Sequence, residues 1–166
     1  MADTITSLLS LARQGGIDTT GGRDRRAADL CQVLAGCVAA LGPAGERVDV
    51  QVPAGLAVGV PGELAARALQ PLLENAARMA GSVSVTARRA DSRVEVLVTD
   101  DGPGVPEELR DALFTPGVSA GGGGSGLGLA LARRVARSLG GDARLVRPVG
   151  PTVFAVELPA AAPDER

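Results

Sequence analysis

Three short segments constrain the fold of this chain more than any other feature of its sequence. They read Leu72-Leu73-Glu74-Asn75-Ala76-Ala77-Arg78, then Asp100-Asp101-Gly102-Pro103-Gly104-Val105, then Gly124-Ser125-Gly126-Leu127-Gly128-Leu129. The surrounding patterns place the first segment on a helix, the second directly after a strand and the third directly before a helix. Each segment alone is a weak signal. In this order, they predict a fold that gathers a helix face, a strand end and a helix start around one pocket.

The residue types that the chain lacks exclude several classes of site. It contains neither His nor Lys, so all 17 basic residues are Arg. A Walker-type phosphate loop needs its Lys, and Ser-His-Asp hydrolysis needs an imidazole base. Cys31 and Cys37 lie in an apolar helical stretch at a spacing that favours neither a zinc site nor a disulfide framework. The cysteines therefore indicate a reduced, cytosolic protein.

Length and composition predict one domain with an aliphatic core. The chain has 166 residues, of which 45% are hydrophobic and 1% aromatic, so Ala, Val and Leu must fill the interior. The net charge of -2, with Arg dispersed, argues against nucleic acid as the main partner. No apolar run approaches the roughly 18 residues of a spanning helix, so we expect no membrane contact by this chain itself.

The apolar patterns predict alternating helices and strands. Helices are expected over residues 4–13, 27–41, 63–80 and 126–139, with a short one after Pro106, and strands over 48–52, 56–60, 82–88, 93–99, 143–147 and 152–158. Residues 15–26 and 161–166 have the composition of a flexible linker and a disordered tail. Strands grouped in hairpins between helices indicate an α/β fold, a two-layer sandwich whose mixed, mostly antiparallel sheet is covered by helices on one face.

The first segment carries a polar side chain on an apolar helix face. Asn75 falls close to Leu64, Ala68 and Leu72 on the helical wheel and so points inward. A buried carboxamide needs a partner, and either a Mg²⁺ ion bridging phosphate oxygens or a nearby backbone group would satisfy it. Arg78, one turn further on, is either within reach of an anion or a solvated charge.

The second segment places a carboxylate where a strand ends. Asp100 at this point can accept a hydrogen bond from the exocyclic amino group of adenine, whereas the carbonyl oxygen of guanine would be repelled. Gly102 and Gly104 would let the backbone come close to the base. The alternative is an ordinary Asp-Gly-Pro turn.

The third segment opens a helix, where free backbone N–H groups and the helix dipole favour phosphate. Gly124, Gly126 and Gly128 remove side chains that would block the approach, and Ser125 adds a hydroxyl donor. Without Lys, these donors and a metal must carry the phosphate charge. A dinucleotide site with the GxGxxG pattern and a flexible linker are the rival interpretations, but no strand leads into the pattern and a Leu-rich helix follows it. Together, the three segments predict an ATP site.

This ordered set resembles the ATP-binding catalytic domain of bacterial sensor histidine kinases, within the wider group of Bergerat-type ATPases that includes DNA gyrase, Hsp90 and the MutL proteins. The resemblance covers roughly residues 27–160. Residues 72–78 are similar to the N box of that family, 100–104 to the G1 box, 113–116 to the F box, 124–129 to the G2 box, and 150–154 to the closing segment that brings a Thr towards adenine.

The resemblance implies a site and its cofactors, ATP and Mg²⁺. Asn75 would be the catalytic residue and the metal ligand. The implied ATP-binding residues are Asn75, Arg78, Asp100, Gly102, Gly104, Val105, Phe114, Gly124, Ser125, Gly126, Leu127, Gly128, Leu129 and Thr152.

The resemblance also implies partners. The γ-phosphate would pass to a His on a separate dimerisation and phosphoacceptor domain, and from there to a response regulator. Residues 1–14 would be a remnant of the dimerisation helix, in a cytoplasmic part of a parent protein attached to the inner membrane. Pro71 departs from the family, because hydrolytic relatives carry a Glu base four residues before Asn75 and histidine kinases often carry Asn. An anti-sigma-factor serine kinase and a non-enzymatic nucleotide-binding switch remain the alternatives.

Overall fold

The computed structural model describes residues 27–119 and 124–162. The predicted helix over 4–13, the linker over 15–26, part of the glycine-rich stretch and the end of the predicted tail lie outside the described residues. The helices are α1 (Leu30–Ala40), α2 (Gly62–Met79) and α3 (Gly128–Ser138), with 3-10 turns at Gly42–Arg47 and Glu107–Leu109. The strands are β1 (Ala28–Asp29), β2 (Val48–Gln51), β3 (Ala57–Val58), β4 (Val83–Ala90), β5 (Arg93–Asp100), β6 (Asp142–Arg147) and β7 (Thr152–Pro159).

Five of these strands form a mixed sheet in the order β2-β4-β5-β7-β6. Strand β2 pairs with β4 in parallel, and the other neighbours are antiparallel. Strands β1 and β3 form a separate antiparallel pair. Helix α2 packs against β5 and β7, and α3 packs against β6 and β7. The predicted α/β sandwich is therefore confirmed.

The interior is built from aliphatic side chains, as the composition predicts. Val94, Val96 and Val98 of β5 are fully buried and pair in register with residues of β7, among them the buried Phe154. Leucines of α2 complete the cluster from the helical layer. Because side chains on a strand alternate between faces, every second residue of β5 faces this core and Asp100 follows the same face to the end of the strand.

Two predicted helix starts are too early. Helix α1 begins at Leu30 instead of residue 27, because Ala28 and Asp29 pair with β3 and the Asp29 carboxylate caps the helix by accepting the Gln32 N–H at 3.0 Å. Helix α3 begins at Gly128 instead of residue 126, because Gly126 has a φ of +69°, in the left-handed region that a helix does not contain.

The last turn of α2 is held by a residue distant in the chain. Arg47 donates from Nη1 to the Ala80 carbonyl at 2.8 Å and from Nη2 to the Ala77 carbonyl at 2.9 Å. Carbonyl groups at a helix C-terminus lack partners within the helix, so this cation satisfies them and fixes the helix end. Within residues 27–119 and 124–162, no helix combines the length and the apolar character that crossing a membrane requires.

Candidate functional site

A cavity lies between the C-terminal half of α2, the end of β5 and the start of α3. All three segments singled out in the sequence reach its wall, which confirms that the fold brings them together. The predicted site residues that line it are Asn75, Arg78, Asp100, Gly104, Val105, Gly124, Ser125, Gly126, Gly128, Leu129 and Thr152.

Three predicted site residues do not line the cavity. Gly102 lies behind Asp100, where a Cβ atom would come within 2.9 Å of the Met79 carbonyl oxygen. Phe114 is half-buried, and its ring packs against Phe154. Leu127 is 53% exposed and precedes α3 as its N-cap. Each of these three residues is a direct neighbour in the chain of a residue that lines the cavity.

Several residues that the sequence analysis did not assign to the site also line the cavity. Half of them lie inside a motif segment and the other half within three residues of one, so assigning whole segments with a margin of three residues would have found them. Phe154 follows Thr152 by two positions on β7, and the period-2 rule for strands places the two on the same face. The missed residues are Pro71, Glu74, Met79, Pro103, Leu113, Val118, Ser119 and Phe154.

Asp100 provides a buried carboxylate at one end of the cavity. It is 4% exposed, and its Oδ1 accepts the Gly102 N–H at 2.9 Å. Burial raises the pKa of Asp100 above the ordinary value for Asp, while the hydrogen bond from Gly102 and the neighbouring Thr152 hydroxyl oppose that shift. An added Cβ at Gly102 would stand 2.7 Å from the carboxylate, so only Gly permits this arrangement.

Thr152 lies directly beside Asp100, on the neighbouring strand β7. The two residues are direct partners in the β5–β7 register, and both side chains line the cavity. The Thr152 hydroxyl is buried close enough to the Asp100 carboxylate to affect its pKa, but in the described part of the chain it makes no hydrogen bond of good geometry. A buried hydroxyl without a partner costs about 1 to 3 kcal/mol, so this group is placed to bond a ligand or a water. The pair offers an acceptor and a hydroxyl side by side.

The end of the cavity beside α2 and the glycine loop is lined by Asn75, Arg78, Gly124 and the carboxylate-bearing Glu74. Arg78 donates from Nη2 to Asn75 Oδ1 at 3.1 Å. The same Nη2 lies where a Cβ on Gly124 would approach to 3.0 Å, so the glycine lets the guanidinium reach the loop. This end therefore combines a guanidinium with a carboxamide oxygen.

The loop before α3 is held in a shape that exposes backbone N–H groups. Gly126 accepts the Gly117 N–H at 3.0 Å, and a Cβ at Gly126 would lie 2.7 Å from the Gly117 carbonyl carbon. The first N–H groups of α3 have no partners within the helix and point out of its N-terminus. A Cβ on Gly128 would touch Pro71 of α2 at 3.4 Å, so the two helices meet closely here.

The residues present fit a divalent cation only if a ligand brings most of its coordination shell. Within the described residues, no three His, Cys, Asp or Glu side chains gather into a metal site. Asn75 Oδ1 supplies one neutral oxygen, once it is released from Arg78. Mg²⁺ bound to nucleotides commonly takes few protein ligands together with phosphate and water oxygens, so this donor set suits it.

Comparisons with known proteins agree with this geometry. The family model described as histidine kinase-, DNA gyrase B-, and HSP90-like ATPase matches residues 61–162. Sensor protein KdpD of Mycobacterium tuberculosis is 36% identical to this chain over 132 residues, which is 73% of this chain and 14% of that protein. The chain thus spans a small part of the curated relative that it matches.

Solved structures share the fold. The mycobacterial sensor histidine kinase MprB matches with a TM-score of 0.71 at 26% identity, over 82% of this chain and 99% of that chain. The histidine kinase domain of the E. coli osmosensor EnvZ matches with a TM-score of 0.64 at 28% identity, over 88% of this chain and 96% of that chain.

Proposed function

We propose a mechanism for this chain from the premise that it belongs to the histidine kinase-, DNA gyrase B- and HSP90-like ATPase family, as the catalytic ATP-binding domain of a sensor histidine kinase. Binding of ATP follows from the family. We propose which residues hold the nucleotide and the metal, and which group accepts the phosphoryl group.

The buried pair of Asp100 and Thr152 carries the proposal. The Asp100 carboxylate accepts a hydrogen bond from the amino group of adenine, and the Thr152 hydroxyl bonds the purine ring edge beside it. Guanine carries a carbonyl oxygen in place of that amino group, so it would face the carboxylate with like polarity. This end of the cavity therefore selects the base.

The glycine loop and the start of α3 hold the phosphates. The N–H groups at the helix N-terminus donate to phosphate oxygens, and Arg78 supplies a positive charge beside Gly124. Asn75 would hold Mg²⁺ through its carboxamide oxygen, and the ion would neutralise charge that develops on the phosphate oxygens. In this state Arg78 leaves Asn75 and turns to the phosphates.

The phosphoryl group passes to a His of a separate dimerisation domain. An imidazole nitrogen attacks the γ-phosphorus, the bond to the bridging oxygen breaks, and ADP leaves. This chain contributes no nucleophile, because it has no His, and Pro71 offers no base for activating water. We further propose that a response regulator then receives the phosphoryl group, and that this catalytic unit, residues 27–160, works on the cytoplasmic side of a membrane-attached parent protein.

Titration calorimetry with ATP and GTP tests the base-reading pair. We expect the unaltered chain to bind Mg-ATP more tightly than Mg-GTP. Asp100→Asn should weaken ATP binding by about 1 to 3 kcal/mol, because an amide placed here leaves a buried polar contact unpaired. Asp91→Asn is the matched control, since Asp91 lies in the β4–β5 turn with a φ of +53° that Asn also tolerates. An unchanged ATP affinity in folded Asp100→Asn protein would remove Asp100 as the reader of adenine.

A further inference from the structure

The two aromatic residues of the chain lie together beside the proposed nucleotide site. Phe114 and Phe154 are the only aromatic residues in the sequence. Their ring centroids are 6.3 Å apart with the planes at 78°, an edge-to-face contact. Phe154 is 1% exposed and lines the cavity, whereas Phe114 packs behind it. A chain whose core is otherwise aliphatic thus places one ring in the wall of this site and the other directly against that ring.

Arg133 of α3 packs on the Phe114 ring. Its guanidinium carbon lies 5.0 Å from the Phe114 ring centroid, within the range of a cation–π contact. The same guanidinium grips Asp142 at the start of β6, with Nε 3.0 Å from Oδ1 and Nη2 3.4 Å from Oδ2. A two-pronged contact of this kind fixes the plane of the guanidinium as well as its position. The cation is therefore anchored to the sheet while it covers Phe114.

Phe114 belongs to a segment that forms one wall of the cavity. Leu113, Val118 and Ser119 line the cavity, and the segment over residues 113–119 contains no helix or strand. At its far end, the Gly117 N–H bonds to Gly126. At its near end, the buried Leu113 and the contacts of the Phe114 ring hold it against the domain.

We propose that Arg133 is a positioning residue for nucleotide binding: it holds Phe114 against Phe154 and thereby keeps residues 113–119 in place as a wall of the cavity. The inference deepens the proposed function and rests on it. Asp142 acts one step further back, by orienting Arg133.

The chain contains its own matched control. Arg137, one turn after Arg133, makes the same pair of contacts to Asp142, with Nε 2.9 Å from Oδ1 and Nη2 3.4 Å from Oδ2. Within the described residues, Arg133 is the arginine that stacks on Phe114. Arg133→Gln and Arg137→Gln therefore each remove one partner of Asp142, and Arg133→Gln alone removes the cation from the ring.

The test compares these two variants in the 166-residue chain, with a non-hydrolysable ATP analogue. We expect both to lower thermal stability, Arg133→Gln by more, because it also loses the contact with the ring. Arg133→Gln should also weaken analogue binding by about three- to tenfold and speed amide exchange over residues 113–119, while Arg137→Gln changes neither. Arg133→Lys, which keeps a cation over the ring, should restore most of the affinity. If Arg133→Gln does not fold, Asp142→Asn takes its place, because it frees the guanidinium from its anchor.

Two results would overturn the inference. Equal effects of Arg133→Gln and Arg137→Gln on analogue binding would reduce Arg133 to a stabilising ion pair. Equal losses in Arg133→Lys and Arg133→Gln would show that the cation over the ring has no part in positioning. Failure of the unaltered chain to bind the analogue would be a different outcome, since it would overturn the proposed function itself.

Discussion

At Asp100, the base selectivity that we propose is linked to an energetic cost. Its carboxylate is almost completely buried and accepts the Gly102 N–H, beside a Thr152 hydroxyl that makes no hydrogen bond of good geometry within the described residues. Burying a charge costs free energy unless hydrogen bonds compensate it. In the proposed complex the adenine amino group donates to the carboxylate and the ring edge bonds the Thr152 hydroxyl, so the ligand satisfies both groups. The buried pair is therefore better explained by binding than by stability.

The raised pKa of Asp100 predicts how ATP affinity depends on pH. Burial disfavours the charged form, so the carboxyl takes up its proton above 3.8, the ordinary value for Asp, as the pH falls. The protonated form is the weaker acceptor, and ATP affinity should fall through this raised pKa. The sign for stability is opposite, because a raised folded-state pKa lets the free protein gain stability from this group as the pH falls. Protonation of Asp100 therefore does not destabilise the fold, and destabilisation through this group cannot explain the loss of ATP affinity at low pH.

Calorimetry from pH 7 towards pH 4 measures this dependence. The unaltered chain and Asp91→Asn should lose affinity in parallel as the pH falls, whereas Asp100→Asn should bind weakly with a flatter profile. The titration of the nucleotide itself is the same for all three proteins, so it cannot produce a difference between them. A profile in Asp100→Asn as steep as that of the unaltered chain would assign the pH dependence to another group.

For individual residues, the sequence was most informative where a motif is local. Asp100, Gly102 and Gly104 could be placed because they follow a predicted strand end within five residues. Thr152 entered the prediction only through the family resemblance, because nothing in its neighbourhood shows that β7 runs beside β5. The pairing of Asp100 with Thr152 spans 52 positions of sequence, and local patterns carry no information about it.

Among the elements, α2 depends on a contact that no helical pattern shows. The pattern predicts the helix and its inward face, and the helix is observed with Ala68 and Leu72 buried. The prediction of a buried Asn75 carboxamide is wrong, because this side chain borders the open cavity and is only half-buried. Arg47 reaches its last turn from the end of the first 3-10 turn and bonds two carbonyls there. Asn75 and Arg78 lie within this final part of the helix, so Arg47 fixes the backbone from which both side chains project. The early start predicted for α1 has the same origin, since the Ala28–Val58 pairing is also nonlocal.

Removing the Arg47 side chain should loosen the end of α2. Arg47→Ala leaves the Ala77 and Ala80 carbonyls without this cation, and we expect a loss of about 1 to 2 kcal/mol in the free energy of unfolding. Affinity for ATP should fall by a smaller amount, because the side chains that face the phosphates remain. Urea unfolding of Arg47→Ala beside Arg67→Ala, an exposed residue earlier on the same helix, measures the difference. Equal midpoints for the two variants would contradict the role of Arg47 as a helix cap.

For the whole molecule, the family fold supplies a nucleotide site but not the complete reaction. The cavity gathers carboxylate, hydroxyl, guanidinium and glycine loop from α2, β5, α3 and β7, which is the arrangement that the order of motifs predicts. The sequence could predict this architecture because the three helices and the strands of the main sheet have a local apolar period, which the two-residue strand β1 lacks. It could not predict the aromatic pair or its arginine, which depend on how α3 packs against residues 113–119.

Phosphoryl transfer requires a nucleophile in line with the γ-phosphate, and this chain contains no imidazole. We therefore expect the chain alone to bind ATP, to hydrolyse it slowly at most, and to acquire no stable label from γ-labelled ATP. Pro71 lines the cavity four residues before Asn75 and cannot activate water, which favours transfer over hydrolysis.

Mixed with a histidine kinase dimerisation domain that retains its His, the chain should place acid-labile phosphate on that domain. Asn75→Ala should abolish the transfer, because it removes the proposed ligand for Mg²⁺. Label on a Ser of an antagonist protein, with none on the His domain, would instead assign the chain to the anti-sigma-factor kinases.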